Sequence, residues 1–267
     1  MIKLIVADCD GTILDSNKKI DSKLIQVIED LKKRKVLFTL ASGRNIYLMQ
    51  DIIKELKLEL PFIINNGANV YKQNKMIVNY ALPNEYVDVI CNSLVNDGFP
   101  FLAYSENRLI YNLNHSLLDG FKVKLNGKLT QIEYSKSINL TEYPVFKITV
   151  ATDHQDDIIE TKNKIEQLCP LINFNRSEGT LFTITNVNAT KGNAIQTVAD
   201  MLNIKMDEVM IFGDNYNDLS MFEKAGIGVA MGNSDEVIKT YATHSTKDND
   251  HNGVSDFLID YFNVEGI

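Results

Sequence analysis

The sequence predicts an α/β protein, a Rossmann-like parallel sheet with an α+β domain inserted into it, and three observations carry that prediction. Apolar runs rich in branched side chains (Ile2–Ala7, Val36–Ala41, Pro61–Ile64, Val209–Phe212, Ile227–Ala230) alternate with amphipathic helical segments toward both ends of the chain. Strands buried on both faces of a parallel sheet read this way. Several runs stop at polar or acidic residues, and the carboxyl edge of an open α/β sheet is where ligands bind. From about Leu82 to Thr185 the alternation gives way to mixed helices and short strands, as in an α+β unit. Residues 1–81 and 186–267 are therefore assigned to the core and 82–185 to the insertion.

The first strand ends in Asp8-Cys9-Asp10-Gly11-Thr12. Side chains two apart on a strand share a side, so Asp8 and Asp10 project together while Cys9 points away. Gly11 and Thr12 then turn the chain, the glycine permitting unusual backbone angles and close approach of N–H groups to an anion. Two carboxylates this close share a proton unless a cation neutralises them, and Mg²⁺ takes a few carboxylates together with phosphate oxygens. The pair thus suggests a metal and a division of labour, one carboxylate ionised as nucleophile and metal ligand, the other holding a proton for a leaving group. A calcium loop is excluded, because its fifth, sixth and twelfth positions hold Thr12, Ile13 and Lys19. A plain surface turn is the remaining alternative.

Ser22–Lys33 carries Leu24, Val27, Ile28 and Leu31 at helical spacing, with Asp21 or Ser22 as the cap. Val36–Ala41 is the second strand and ends in Ser42-Gly43-Arg44, ahead of a helix predicted over Ile46–Leu58. Ser42 reads equally as a helix cap or a phosphate contact. Pro61–Ile64 makes a third strand, followed by the turn Asn65-Asn66-Gly67-Ala68 and a hairpin closed by the polar KQNK segment. In the insertion, helices are expected over Tyr86–Val95 and Ile158–Leu168, and strands over Phe101–Tyr104, Leu109–Tyr111, Val145–Val150, Ile172–Asn175 and Leu181–Ile184.

Alternation resumes at Thr190. Lys191 opens a helix, where its charge opposes the macrodipole, so either a bound phosphate compensates it or it is an exposed, screened lysine. Val209–Phe212, the fourth Rossmann-like strand, ends in Gly213-Asp214-Asn215-Tyr216-Asn217-Asp218. Asp214 is placed to complete a metal site with Asp8, and Asn217 and Asp218 face back toward it across one helical turn. After Ile227–Ala230, helices are expected over Glu236–Tyr241 and Val254–Phe262.

The formal charge of −8, with no basic stripe, argues against a nucleic-acid partner. Cys9, Cys91 and Cys169 are far apart and match no CxxC, and His115, His154, His244 and His251 show no metal-ligand spacing, so neither disulfides nor zinc is expected. No signal segment and no apolar run near 18 residues is visible, which leads to the expectation of a cytoplasmic protein without a membrane partner.

Asp8-Cys9-Asp10-Gly11-Thr12, Ser42, Lys191 and Gly213-Asp214-Asn215-Tyr216-Asn217-Asp218, in this order, resemble the haloacid dehalogenase superfamily of phosphotransferases. The Ser42-Gly43-Arg44 triplet, Asn65-Asn66-Gly67-Ala68 and Gly228-Val229-Ala230-Met231-Gly232-Asn233 are similar to its Cof-type branch, which carries a large α+β cap. The resemblance implies that Asp8 attacks phosphorus and that Asp10 protonates the leaving oxygen and then activates water. It implies a phosphate site on Gly11, Thr12, Ser42, Gly43, Lys191 and Asn217. It implies Mg²⁺ on Asp8, the Asp10 backbone carbonyl and Asp214, with Asp218 in support. Thr183 stands where many relatives carry an acid. The implied activity is a phosphatase acting on a small phosphorylated metabolite, a sugar, flavin, pyridoxal or nucleotide phosphate. A sugar phosphomutase and a non-catalytic phosphate sensor are the alternatives. Phe99, Phe101, Tyr104, Arg108, Tyr111, Lys122, Lys124 and Arg176 are candidates to grip the substrate, each also readable as core or solvated surface.

Overall fold

β1 (Leu4–Ala7), α1 (Ser22–Lys33), β2 (Leu37–Leu40) and α2 (Ile46–Glu55) follow the expected alternation in the computed structural model, which describes residues 1–73, 75–135 and 142–266. Asp21 caps α1, its carboxylate accepting the Lys23 N–H at 3.0 Å. α2 ends short of the predicted Leu58 because Lys57 turns left-handed, with φ 48°, and the Leu58 N–H bonds back to the Ile53 carbonyl at 3.0 Å.

β3 (Phe62–Ile64), β4 (Asn69–Lys72) and β5 (Lys75–Asn79) make a small separate sheet in that order. The third strand therefore departs from the expectation: it pairs antiparallel with β4, and its link to β2 is the single bridge from Ala41 to Ile63. The cause is the turn directly after it, where Asn65, Asn66 and Gly67 all take positive φ and reverse the chain before a parallel ladder can extend. Asn74 of the KQNK hairpin lies outside the described residues.

The insertion contains α3 (Asn84–Asn96), β6 (Phe101–Tyr104), β7 (Arg108–Tyr111), α4 (Ser116–Leu125), β8 (Thr130–Glu133), β9 (Lys147–Ala151), α5 (Ile159–Leu168), β10 (Ile172–Glu178) and β11 (Leu181–Asn186). Its strands form one sheet in the order β10-β11-β9-β6-β7-β8. Alternate residues serve two faces. Phe101, Ala103, Ile148, Val150 and Ile184 pack with Val87, Ile90 and Leu94 of α3 and Ile165 of α5, whereas Leu102, Tyr104, Leu109 and Ala151 pack with Leu118 and Leu125 of α4. α4 and β8 are not foreseen in the sequence. Gly120 interrupts the helical pattern of α4, and its Phe121-Lys122-Val123-Lys124-Leu125 alternates like a strand. Phe101 and Tyr104 belong to the two cores, which settles them as packing residues.

The chain returns through α6 (Lys191–Met201), β12 (Val209–Gly213), α7 (Leu219–Phe222), β13 (Ile227–Ala230), α8 (Glu236–Tyr241), the two-residue β14 (His244–Ser245) and α9 (Gly253–Phe262). β14-β13-β12-β1-β2 is a wholly parallel sheet, and β1 and β12 are buried throughout. Ala7 is level with both Phe212 and Leu40, so Asp8, Gly213 and Ala41 come next at one edge. By its contacts the chain divides into two units, one of Met1–Arg44, Met49–Ile77 and Thr190–Ile267, the other of Asn45–Leu48 and Val78–Ala189. Among the described residues no helix is long and apolar enough to cross a membrane.

Candidate active site

Register alone brings Asp8 and Asp214 to neighbouring strand ends, and Lys191 locks the arrangement. The Asp8 N–H donates to the Phe212 carbonyl at 3.0 Å, which extends the β1–β12 ladder by one residue and fixes Asp8 at its end. Cys9 turns inward as expected, fully buried with its thiol 3.8 Å from the Met49 sulfur. From the start of α6 the Lys191 Nζ donates to Asp8 Oδ1 and to Asp218 Oδ1, both at 2.6 Å, and Lys191 is 0% exposed. The exposed-lysine reading of Lys191 is thereby set aside. Its burial is a consequence of Gly192, where a Cβ would lie 2.0 Å from the Ser220 carbonyl oxygen, so α6 can approach α7 closely.

Asp218 divides its two oxygens between tasks. Oδ1 receives the ammonium of Lys191, and Oδ2 accepts the N–H groups of Asp214 at 3.0 Å and Asn215 at 3.1 Å. This ties the loop after β12 into shape and presents Asp214 beside Asp8. Asp214 Oδ1 accepts the Thr12 hydroxyl at 3.1 Å. Gly11, at φ 76°, permits the approach: a Cβ there would stand 2.3 Å from Asp214 Oδ2.

Asp8, Asp214 and Asp218 each offer a carboxylate oxygen within 4.8 Å of the others. Burial raises the pKa of Asp8 well above the ordinary carboxylate range; the Lys191 charge opposes this and the charges of Asp218 and Asp214 reinforce it. Asp214 is pushed up to about 7, by burial first and then by Asp218, against the pull of Lys191 and Thr12. For Lys191 burial works against the ammonium, but Asp218 and Asp8 outweigh it and hold the pKa above its usual value. Three carboxylates around one ammonium leave an excess of negative charge that a cation would relieve. An all-oxygen donor set fits a hard divalent ion. With both Asp218 oxygens already engaged, Asp8 and Asp214 are the pair placed to hold it.

Asp10 stands apart from this cluster. Its Oδ2 accepts Arg44 Nε at 2.7 Å, and its Oδ1 accepts Arg44 Nη2 at 2.7 Å and Lys18 Nζ at 2.9 Å. Burial would raise the Asp10 pKa, yet the hydrogen bonds and charge of Arg44, followed by those of Lys18, bring it down to about 2. Arg44, two residues past Ser42, thus reaches the carboxyl group expected to hold a proton, and its hydrogen bonds and charge favour the ionised form.

Ser42 is 1% exposed and its Oγ accepts the Arg44 N–H at 3.1 Å. The cap of α2 is Asn45, whose Oδ1 accepts the N–H groups of Tyr47 and Leu48, both at 3.1 Å, so the helix-cap reading does not apply to Ser42. Asn217 donates its amide to Asn66 Oδ1 at 3.1 Å, and a Cβ at Gly43 would meet that same oxygen at 2.7 Å. Asn66 thus gathers Gly43 and Asn217. Asn233 donates to the Gly11 carbonyl at 2.9 Å and contacts Asp214 Oδ2 at 3.4 Å. Arg44, Asn66 and Asn233 were visible in the sequence only as parts of motifs. Their amides and guanidinium act through tertiary contacts that periodicity does not encode.

A family model described as haloacid dehalogenase-like hydrolase matches residues 5–258. The 5-amino-6-(5-phospho-D-ribitylamino)uracil phosphatase YcsE of Bacillus subtilis is 25% identical over 255 residues, spanning 95% of this chain and 93% of its own. The stress response protein YhaX of the same organism is 29% identical over 281 residues, spanning 98% and 94%. In structure, a haloacid dehalogenase-like hydrolase from Bacteroides thetaiotaomicron superimposes with a TM-score of 0.83 at 27% identity, over 98% of this chain and 100% of the other.

Proposed function

The chain belongs to the haloacid dehalogenase-like hydrolases, as a phosphoric monoester hydrolase of the Cof type, and we propose that it is a Mg²⁺-dependent phosphatase working through an aspartyl phosphate on a small phosphorylated metabolite. The observation that carries this reading is the Lys191 ammonium, held at 2.6 Å from both Asp8 and Asp218 beside Asp214. In this reading residues 1–81 and 186–267 form the catalytic core, and 82–185 the cap that selects the substrate.

Asp8 is the nucleophile. Its carboxylate oxygen attacks phosphorus, the bond to the leaving oxygen breaks, and Asp10, after taking up a proton from solvent against the pull of Arg44 and Lys18, passes it to that oxygen. Asp10 then takes a proton from water as the water attacks the aspartyl phosphate, releasing inorganic phosphate and regenerating Asp8. Splitting one difficult displacement into two gives each step a positioned nucleophile. Lys191, the Ser42 hydroxyl, the Asn217 amide and the Gly11, Thr12 and Gly43 backbone meet the charge on the phosphoryl oxygens. Mg²⁺ would be held by Asp8, Asp214 and the Asp10 backbone carbonyl, with Asp218 fixing the loop behind them, and would supply charge neutralisation for the phosphoryl group. The substrate class proposed is a sugar, flavin, pyridoxal or nucleotide phosphate, and the relative named for 5-amino-6-(5-phospho-D-ribitylamino)uracil supports a small phosphorylated metabolite of this kind.

The test is phosphate release from a panel of sugar, polyol, flavin, pyridoxal and nucleotide monophosphates, with Mg²⁺ or EDTA, for wild type and Asp8→Asn. Metal-dependent release that disappears in Asp8→Asn supports the reading and ranks the substrates. Release unaffected by EDTA or by the substitution contradicts it, and isomerised sugar phosphate without free phosphate indicates a mutase instead.

A further inference from the structure

Residues 228–233 form a motif that the reaction above does not use, and its last member, Asn233, bridges the two turns that carry the acidic residues. Asn233 follows β13, and its Nδ2 donates to the Gly11 carbonyl, in the turn after β1, at 2.9 Å. The same nitrogen lies 3.4 Å from Asp214 Oδ2, in the loop after β12. A side-chain amide nitrogen carries two hydrogens, so it can serve both acceptors at once. It works beside the Thr12 hydroxyl, which holds the other oxygen, Asp214 Oδ1, at 3.1 Å.

The loop 248–252, between β14 and α9, orients this amide. The Asn249 N–H donates to Asn233 Oδ1 at 3.3 Å. Turned over, the amide would set its NH2 against that N–H and its oxygen against the Gly11 carbonyl, so the two contacts together select one orientation. The loop also holds the far end of the turn after β1. Asn249 Nδ2 donates to the Leu14 carbonyl at 2.9 Å, and the Asp250 carboxylate accepts the Ser16 N–H and hydroxyl, both at 2.7 Å. Close backbone packing seats the loop there: a Cβ at Gly232 would stand 2.7 Å from the Asp248 nitrogen, and one at Gly253 would stand 2.1 Å from the Lys247 carbonyl oxygen.

We propose that Asn233, oriented by the Asn249 N–H, is a positioning residue for the metal site, setting the turn after β1 and the Asp214 carboxylate at a fixed spacing. The proposal rests on the reading above, in which Asp8, Asp214 and the Asp10 backbone carbonyl hold Mg²⁺. Asn233 acts through Asp214 and through Gly11, the residue next to Asp10. Without its amide, Asp214 Oδ2 loses a contact that directs it, and Gly11, at φ 76°, loses a bond that fixes its carbonyl.

The experiment titrates Mg²⁺ alone into the full chain by calorimetry, for wild type, Asn233→Ala, Asn233→Leu and Asp250→Ala, and records melting temperatures in EDTA. Asn233→Leu keeps most of the side chain's volume and loses its donors, whereas Asp250→Ala loosens the loop and keeps the Asn233 contacts. Both Asn233 variants are expected to bind Mg²⁺ about 10–100-fold more weakly, the range found when groups that orient a ligand are altered. Their melting temperatures in EDTA should move by no more than about 2 °C, since Asn233 is exposed. Asp250→Ala should bind as wild type does, and saturating Mg²⁺ should return the kcat of the Asn233 variants toward that of wild type. Either Asn233 variant carries the comparison if the other fails to fold. Wild-type affinity in the Asn233 variants overturns the positioning role and leaves the phosphatase reading standing. An equal loss in Asp250→Ala also overturns it, by assigning the effect to the loop as a whole. Absence of Mg²⁺ binding in wild type removes the metal reading and this proposal with it.

Discussion

Lys191 Nζ lies 2.6 Å from Asp8 Oδ1, an ion pair that joins residues 183 positions apart and is almost wholly withdrawn from solvent. Removing one partner of a buried pair strands the other charge, at a cost of about 3–5 kcal/mol. Lys191→Met is therefore expected to lower the stability of the metal-free protein by about that amount, because Asp8 and Asp218 both lose their counter-ion. Urea denaturation in EDTA measures it, and an unchanged midpoint would show that the pair contributes nothing to the fold.

Asp214 has the opposite character. It faces Asp8 and Asp218 in a cluster with an excess of carboxylates, and burial with the Asp218 charge raises its pKa to about 7. Replacing it with Asn removes repulsion when no metal is bound and removes a ligand when one is. Asp214→Asn should melt no lower than wild type in EDTA and should lose the upward shift that Mg²⁺ gives wild type. A Mg²⁺ shift that survives the substitution places the ion elsewhere.

Gly11 is where backbone conformation and metal site meet. At φ 76°, with a Cβ position 2.3 Å from Asp214 Oδ2, alanine would strain the turn and push the carboxylate away. Gly11→Ala is expected to weaken Mg²⁺ binding by about 10–100-fold, the range found when groups that orient a ligand are altered. Titration calorimetry reads this directly, and wild-type affinity in the variant would mean that Asp214 has room to adjust.

Away from the site, Lys147 sits buried in the insertion's sheet with its ammonium 4.7 Å from the centre of the Tyr104 ring, and burial lowers its pKa to about 8. Below pH 8 the folded and unfolded chains both carry the charge, and the folded one bears the cost of burying it. Between about pH 8 and the ordinary lysine value near 10.4 the folded chain releases its proton first, so native stability rises with pH. Lys147→Met should therefore lose the rise in stability that wild type shows between about pH 8 and 10, so that the difference between the two proteins changes across that window. A difference independent of pH would assign the effect to packing alone.

The strand ends were legible in the sequence because burial on both faces forces continuous apolar runs, and Asp8, Ser42 and Asp214 stand where such runs stop. Lys191 was legible because a lysine at a helix start opposes the macrodipole, and the structure shows that the compensating charges come from Asp8 and Asp218. The Arg44 fork on Asp10 was not, since its reach depends on how the turn after β2 lies against the turn after β1. α4 escaped for a different reason: with Gly120 inside it and an alternating end, packing against Leu102 and Leu109 rather than local preference makes it a helix.

In the proposed reaction Asp8 becomes phosphorylated during turnover. Rapid quenching of the enzyme with a ³²P-labelled member of the active panel, followed by peptide mapping, tests it most directly. Acid-stable, hydroxylamine-labile label is expected on the peptide containing Asp8, at greater occupancy in Asp10→Asn and absent from Asp8→Asn. Turnover with no label on that peptide in any of the three proteins would contradict it and point to direct attack by water.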